Sequence, residues 1–220
     1  MRFRQIALAA VVLLTAVAVQ DPAFARKRIE GSGRLETRTL ELDAFSAVEL
    51  GGSFDVTIRF GPEQKVEATL DDNLFDNLEA EVSGQWLKLG WDKDCDADKN
   101  CEIAITMVDL EAFALNGVGD VQITEFAGDS LEFDLHGVGD AKIDGKVGKL
   151  RVALMGVGDI EARGLKADHV KVELSGVGDC EVFAAESIDA RVSGVGDLSY
   201  WGDPQQRSTK TSGIGDIDAR

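Results

Sequence analysis

Proline, positive charge and long apolar runs are all scarce in this chain, and each scarcity closes off a class of protein. Three prolines in 220 residues, of which only Pro62 and Pro204 lie beyond position 25, exclude a Gly/Pro linker. Lys and Arg number 23 against 40 Asp and Glu, a formal charge of −17. Such a chain lacks the basic patches that displace counterions from nucleic acid, and it is repelled by an anionic membrane surface. The one long apolar run, Ile6 to Val19, follows Arg2 and Arg4 and precedes the small-x-small pattern Ala23-Phe24-Ala25. That is the form of a secretory signal peptide over residues 1–25, too short in its apolar part to span a bilayer. Its removal takes Arg2, Arg4 and Asp21, leaving 21 basic and 39 acidic residues and no transmembrane segment in the mature chain. The expected class is an exported, acidic, ordered protein of one large domain or two small ones.

Glycine, in contrast, is abundant: all 24 fall after residue 25. Most of the excess sits in one motif. Gly-Val-Gly-Asp occurs at 117–120, 137–140, 156–159, 176–179 and 194–197, and Gly213-Ile214-Gly215-Asp216 is a sixth copy. The spacings of 20, 19, 20, 18 and 19 residues signify stacked repeats. Upstream of each corner, alternate positions are apolar: Leu131, Phe133, Leu135; Leu150, Val152, Leu154; Val170, Val172, Leu174; Ile188, Ala190, Val192. Downstream lie Val121 and Ile123, Ala141 and Ile143, Ile160 and Ala162, Cys180 and Val182, Leu198 and Tyr200, Ile217 and Ala219. Each repeat therefore reads strand, corner, shorter strand, polar turn. A period near 19 is too short for a helix per repeat and suits one coil of an all-β, parallel β-solenoid.

The corner glycines Gly117 and Gly119, Gly137 and Gly139, Gly156 and Gly158, Gly176 and Gly178, Gly194 and Gly196, Gly213 and Gly215 supply positive φ or close backbone approach. The Val or Ile between them is expected to point inward as an apolar ladder, Val157 packing between Val138 and Val177. Glu111 and the early Leu110 in the first copy, and Arg207, Thr209 and Thr211 in the last, read as polar caps at the two ends.

Before residue 108 the pattern is β but irregular. Residues 26–38 form a flexible lead-in, and residues 39–107 are early coils continuous with the repeats of 108–220, making one solenoid domain over 39–220. Asp71 to Leu78 is the single helix candidate, with Leu74 and Leu78 at i, i+4. Trp86–Leu89 and Ile103–Ile105 read as a hairpin around an acidic loop.

Here the chain resembles a known family of exported bacterial proteins, the putative auto-transporter adhesin, head GIN domain family, from about Phe45 to Arg220. The resemblance rests on Val48-x-Leu50-x-Gly52-Ser53-Phe54-Asp55-Val56-x-Ile58, on Asp72-Asn73-Leu74, on Gly84-x-x-Leu87-x-Leu89, and on the serial Gly-x-Gly-Asp corners. It implies a right-handed parallel β-helix and an exported location, and it brings no catalytic residues.

The corner aspartates Asp120, Asp140, Asp159, Asp179, Asp197 and Asp216 should stack one coil apart. Carboxylates ~4.8 Å apart repel by roughly 1 kcal/mol in water and ~3.5 at an effective dielectric of 20. A charge-assisted bond to a backbone N–H contributes about 1.5–3 kcal/mol. An exposed ladder therefore caps turns without an ion, whereas a dry one needs a cation such as calcium. The Asp92-to-Asp98 stretch alternates carboxylates like an EF-hand opening, but Ala97 and Ile103 stand where Gly and Glu are required. Cys95 and Cys101 flank that loop, and in an exported protein a disulfide between them closes a seven-residue ring, contributing roughly 2.4 kcal/mol. Cys180 takes the place of an inward apolar residue. His136 and His169 occupy different repeat positions without metal-ligand partners, and no nucleophile triad, phosphate loop or Cys-x-x-Cys is present. Tyr200-Trp201 with Trp86 and Trp91 is a candidate sugar platform, set against plain cap packing.

These features predict a non-enzymatic binding, adhesion or scaffold module of the periplasm or cell surface, with no cofactor unless the ladder takes calcium. Its partner is a protein or glycan of the envelope, or a second copy at the solenoid ends, and not nucleic acid. The alternative is a polysaccharide lyase or hydrolase, which needs unlike groups gathered in one groove.

Overall fold

A computed structural model describes residues 28–93, 95–96 and 101–220; the expected signal peptide, residues 1–25, lies outside them. In chain order the first strands are β1 (Ile29–Glu30), β2 (Leu35–Leu40), β3 (Ala47–Leu50), β4 (Asp55–Phe60) and β5 (Lys65–Asp71). Next come β6 (Leu78–Ser83), β7 (Trp86–Trp91), β8 (Cys95–Asp96), β9 (Glu102–Met107) and β10 (Ala112–Leu115). Four long strands follow, β11 (Val121–Leu135), β12 (Ala141–Leu154), β13 (Ile160–Leu174) and β14 (Cys180–Val192). The last are β15 (Leu198–Trp201), β16 (Gln206–Thr211) and β17 (Ile217–Ala219). The helix expected at Asp71–Leu78 is only a 3-10 turn, Phe75–Asn77.

The period-2 pattern of each repeat does what it dictates. Leu131, Phe133 and Leu135, and their equivalents down to Ile188, Ala190 and Val192, are buried, and so are Val121, Ile123, Cys180, Val182 and Leu198. Each large inward side chain contributes about 1.5–3 kcal/mol through removal from water. Consecutive coils pair in parallel with like on like, Leu131 on Leu150 on Val170 on Ile188. The expected polar turn between strands is absent, because the ladder runs on through a register shift into a short third side, where Phe126 pairs with Gly145 and Gly128 with Val147.

The result is a β-solenoid whose wall has two long runs of strands. The run before the corners is β6, β7, β3, β10, the second halves of β11 to β14, then β16. The run after the corners is β2, β5, β9, β4, the first halves of β11 to β14, β15, then β17. Parallel pairing gives way to antiparallel at one end, where β6 pairs β7 and β5 lies between β2 and β9.

Four expectations are revised here. Strands β7 and β9 are not a hairpin: β7 pairs with β3 and β6, and β9 with β4 and β5, so together they form a coil. That coil stacks outside the earlier β3–β4 coil, so space and sequence disagree about the order. The copy with Glu111 is accordingly no cap, since β10 is covered by β3 on one side and β11 on the other. The described part of the lead-in, residues 28–38, is more than that, because β1 pairs with β8 and β2 edges the sheet along β5.

No disulfide joins Cys95 to Cys101. Cys95, half-buried, lies in β8 beside Ile29 at the margin of the core, and Cys101 is buried in it, its carbonyl accepting the Asp55 N–H at 2.9 Å. Burial, reinforced by nearby Asp71, pushes the Cys101 thiol up to about 11.

Candidate functional site

Alternation continues through the corner, and this decides what the solenoid shows to solvent. Leu135 points in and His136 out; Gly137 and Gly139 keep the inward phase; Val138 and Asp140 keep the outward one; Ala141 points in again. The inward phase is where coils close on each other. A Cβ on Gly137 would lie 1.9 Å from the Gly117 carbonyl oxygen, and one on Gly139 2.0 Å from that of Gly119. The second glycines have φ between +136° and +149°, which is open only to glycine. Both glycines of the corner are therefore required by coil-on-coil contact.

The valine is required for neither reason. The expectation of an inward ladder fails: Val118, Val138, Val157, Val177 and Val195 are 45–52% exposed and Ile214 73%. Each bridges its counterpart in the next coil, Val138 to Val157 and Val157 to Val177, so the side chains form a continuous row on the outside. A shallow groove runs along it, floored by the first glycines and walled opposite by Asn116, His136, Met155, Ser175, Ser193 and Ser212. Across the six coils, the residue before the corner, the glycine and the valine are eighteen positions without one Asp, Glu, Lys or Arg, in a chain 29% charged.

Beside the valine row runs the aspartate ladder. Oδ1 of Asp120 accepts the N–H of Asp140 at 2.9 Å, Asp140 that of Asp159 at 2.8 Å, and Asp159 that of Asp179 at 2.8 Å. Asp179 and Asp197 continue the chain to Asp216. The rungs are exposed, the regime in which the hydrogen bond outweighs the repulsion. No three His, Cys, Asp or Glu converge as a metal site among the described residues. Nor does any described Lys or Arg pair with a rung, although other surface carboxylates do find partners.

A seventh rung escaped the motif search. Asp55 accepts the N–H of Asp120 at 2.9 Å, and Ser53 bridges Val118. Gly52-Ser53-Phe54-Asp55 is thus a corner whose second glycine has become Phe54. The available signal was Gly-x-x-Asp after the alternating Val48-x-Leu50.

The three tryptophans do not form one platform. Trp86 and Trp91 lie in β7 at one end, where Trp91 stacks on Phe54 at 4.8 Å. Trp201 lies in β15 toward the other end, under the Arg163 guanidinium at 4.8 Å. The face before the corners does collect unlike groups, Lys149, Arg151, His169, Lys171 and Glu132. Most of them are paired: Arg151 reaches Glu132 and Asp134 at 2.7 Å and Glu173 at 3.8 Å, and Lys171 reaches Glu173 at 2.9 Å. The Lys171 hydrogen bond holds the Glu173 carboxyl below the usual range, opposite to what a general acid needs. His169 meets the Ser187 hydroxyl at 2.9 Å.

Comparison with known proteins agrees with this architecture. A protein of Bacteroides fragilis described as a putative adhesin is 28% identical with a TM-score of 0.74, over 87% of this chain and 100% of its own. One from Parabacteroides distasonis, described as a putative lipid binding protein, is 22% identical with a TM-score of 0.54 over the same shares, which attests the fold alone. No curated protein matches the sequence. The profile described as putative auto-transporter adhesin, head GIN domain, matches residues 44–204, and the chain belongs to that family.

Proposed function

We propose that this protein is an exported, non-enzymatic binding module of the cell envelope, an adhesin in the broad sense. The observation that carries the reading is the uncharged valine row, continuous over six coils and required neither by the core nor by the corner. An apolar strip this regular on an otherwise charged surface is the mark of a contact face. The family and the Bacteroides fragilis relative support it, each described as a putative adhesin. Against an enzyme stands the mutual pairing of the charged groups on the other face. Export rests on the leader-like residues 1–25 and on the family. Among the described residues no helix is long and apolar enough to cross a membrane.

The test displays the protein on cells or beads and measures adhesion to envelope fractions. Replacing Val138, Val157 and Val177 by serine should abolish adhesion while circular dichroism stays unchanged. Retained adhesion, or turnover of a polysaccharide that survives purification, overturns the proposal.

A further inference from the structure

We propose that the partner of the valine row is a cationic amphipathic helix, laid along the solenoid axis with its apolar stripe on the valines and its lysines or arginines on the aspartate ladder. This rests on the reading of the row as a contact face and names its occupant. The argument is one of charge and dimension. The row itself is uncharged, so it takes an apolar strip. Two positions on in each corner, where the wall after the corner begins, stands a file of exposed carboxylates, Asp55 and Asp120 through Asp216, with Lys142 near them but no ion pair to any described Lys or Arg. One oxygen of each rung up to Asp197 is held by the next N–H, which fixes the carboxylate in place without neutralising it. A partner that is apolar alone leaves these charges uncompensated, and an anionic one is repelled. An apolar strip with cations along one border satisfies both rows, and the chain's charge of −17 steers such a partner inward.

The dimensions also fit a helix. Six valine-row residues span five coil steps, about 24 Å at the usual inter-strand spacing. A helix of about 16 residues covers that length at 1.5 Å per residue. Its side chains at i, i+3 and i+4 recur about every 5.4 Å, close to the ~4.8 Å step of the ladder. A glycine floor lets the helix approach closely.

The probe is a synthetic 18-residue peptide of leucine and lysine, with leucines on one helical face. The controls are a scrambled peptide of the same composition, a leucine–glutamate version and a neutral β-glucan oligosaccharide. Binding is measured by fluorescence anisotropy at 50 and 300 mM NaCl, and the expected ligand is the amphipathic leucine–lysine peptide alone. The Val138→Ser, Val157→Ser, Val177→Ser variant should weaken it at least about tenfold. Asp140→Asn with Asp159→Asn, which keeps the Oδ1 acceptors, should weaken it severalfold and flatten its salt dependence. Equal binding of the scrambled peptide, or affinity indifferent to the valine substitutions, reduces the interaction to bulk charge and overturns the proposal. Preference for the glutamate peptide or the oligosaccharide, lost in the valine variant, overturns the helix but retains the contact face. Failure of the valine variant to impair envelope adhesion overturns both.

Discussion

The coils built from 112 onward and those built from 47–60 and 86–107 share one stack but obey different rules. In the later coils each turn lies on its predecessor, the corners recur every 18 to 20 residues, and two glycines stand at every corner. In the earlier coils the chain lays down β3 and β4, leaves, and returns with β7 and β9 on the outer side. There one corner carries Phe54 in place of glycine, stacked on Trp91, and the sequence between β7 and β9 has no glycine at all. The difference teaches that the double glycine is a condition of close corner stacking, whereas the outward valine meets no requirement of the stack.

The largest effect should come from putting a methyl group into a stacked corner. Gly158→Ala sets a Cβ 1.9 Å from the Gly139 carbonyl oxygen at φ +145°. Overpacking costs roughly 1–3 kcal/mol and the backbone conformation about 1–3 more. In the outer coil, Gly90 has nothing within 4 Å, and Gly90→Ala should be neutral or stabilising by ~0.4–1 kcal/mol. Thermal melts that fall together would erase the distinction between the two kinds of coil.

Next in size is the ladder. Asp140→Ala forfeits a charge-assisted bond of about 1.5–3 kcal/mol and relieves repulsion of roughly 1 from each of two neighbouring rungs, a net loss of at most about 1 kcal/mol. If the Phe54 corner is a true rung, Asp55→Ala should cost somewhat more, about 0.5–2 kcal/mol, because its Oδ1 holds the Asp120 N–H in the same way and it has one neighbouring rung. Calcium should not shift either melt; a rise of several degrees on adding it would reveal an ion-holding ladder instead.

The buried thiols compare the two regions in pH. Burial pushes Cys180 up to about 12 and Cys101 up to about 11, from 9.0. A raised folded value means the neutral thiol stabilises the fold in full below pH 9, and this is lost as pH climbs towards 11 or 12. The melting temperature should therefore decline above pH 9; each of Cys180→Ala and Cys101→Ala should remove a similar share of the slope up to about pH 11, with Cys180→Ala alone affecting it beyond. An unchanged slope in both variants would mean that other groups set the alkaline limit.

The smallest effect tests the outward row. Val157→Ser makes a later corner resemble the first, where Ser53 holds the equivalent position. Stability should stay within about 0.5 kcal/mol. A loss of several would place Val157 in the core after all.

The wall of the solenoid was legible because its signal is local: Leu131, Phe133 and Leu135 alternate with Glu132 and Asp134, and a period of two has one outcome when one face is dry. The valines were misread by treating apolar as inward, although counting Leu135, Gly137, Gly139, Ala141 puts Val138 on the other phase. The aspartate bonds followed from charge arithmetic. The seventh rung and the coil order did not, because Asp55 lies 65 residues before its partner Asp120 and nothing local in 86–107 says that it will pass outside 47–60. The Cys95–Cys101 disulfide is expected from spacing and an exported setting, neither of which carries information on how far Cys101 is buried.

The out-of-order coil has a mechanical consequence. Pulled from the β16–β17 end, the later turns can peel singly, each rupture loading only the ladder beneath it. At the opposite end the β3–β4 turn is clamped between β7–β9 and β10–β11, so that turn cannot leave before one of its neighbours does. Force–extension traces should show a sawtooth of small, evenly spaced steps of about 19 residues, then one larger rupture for everything before 112. Under load on the β16–β17 end the stack would yield gradually yet keep the clamped β3–β4 turn to the last.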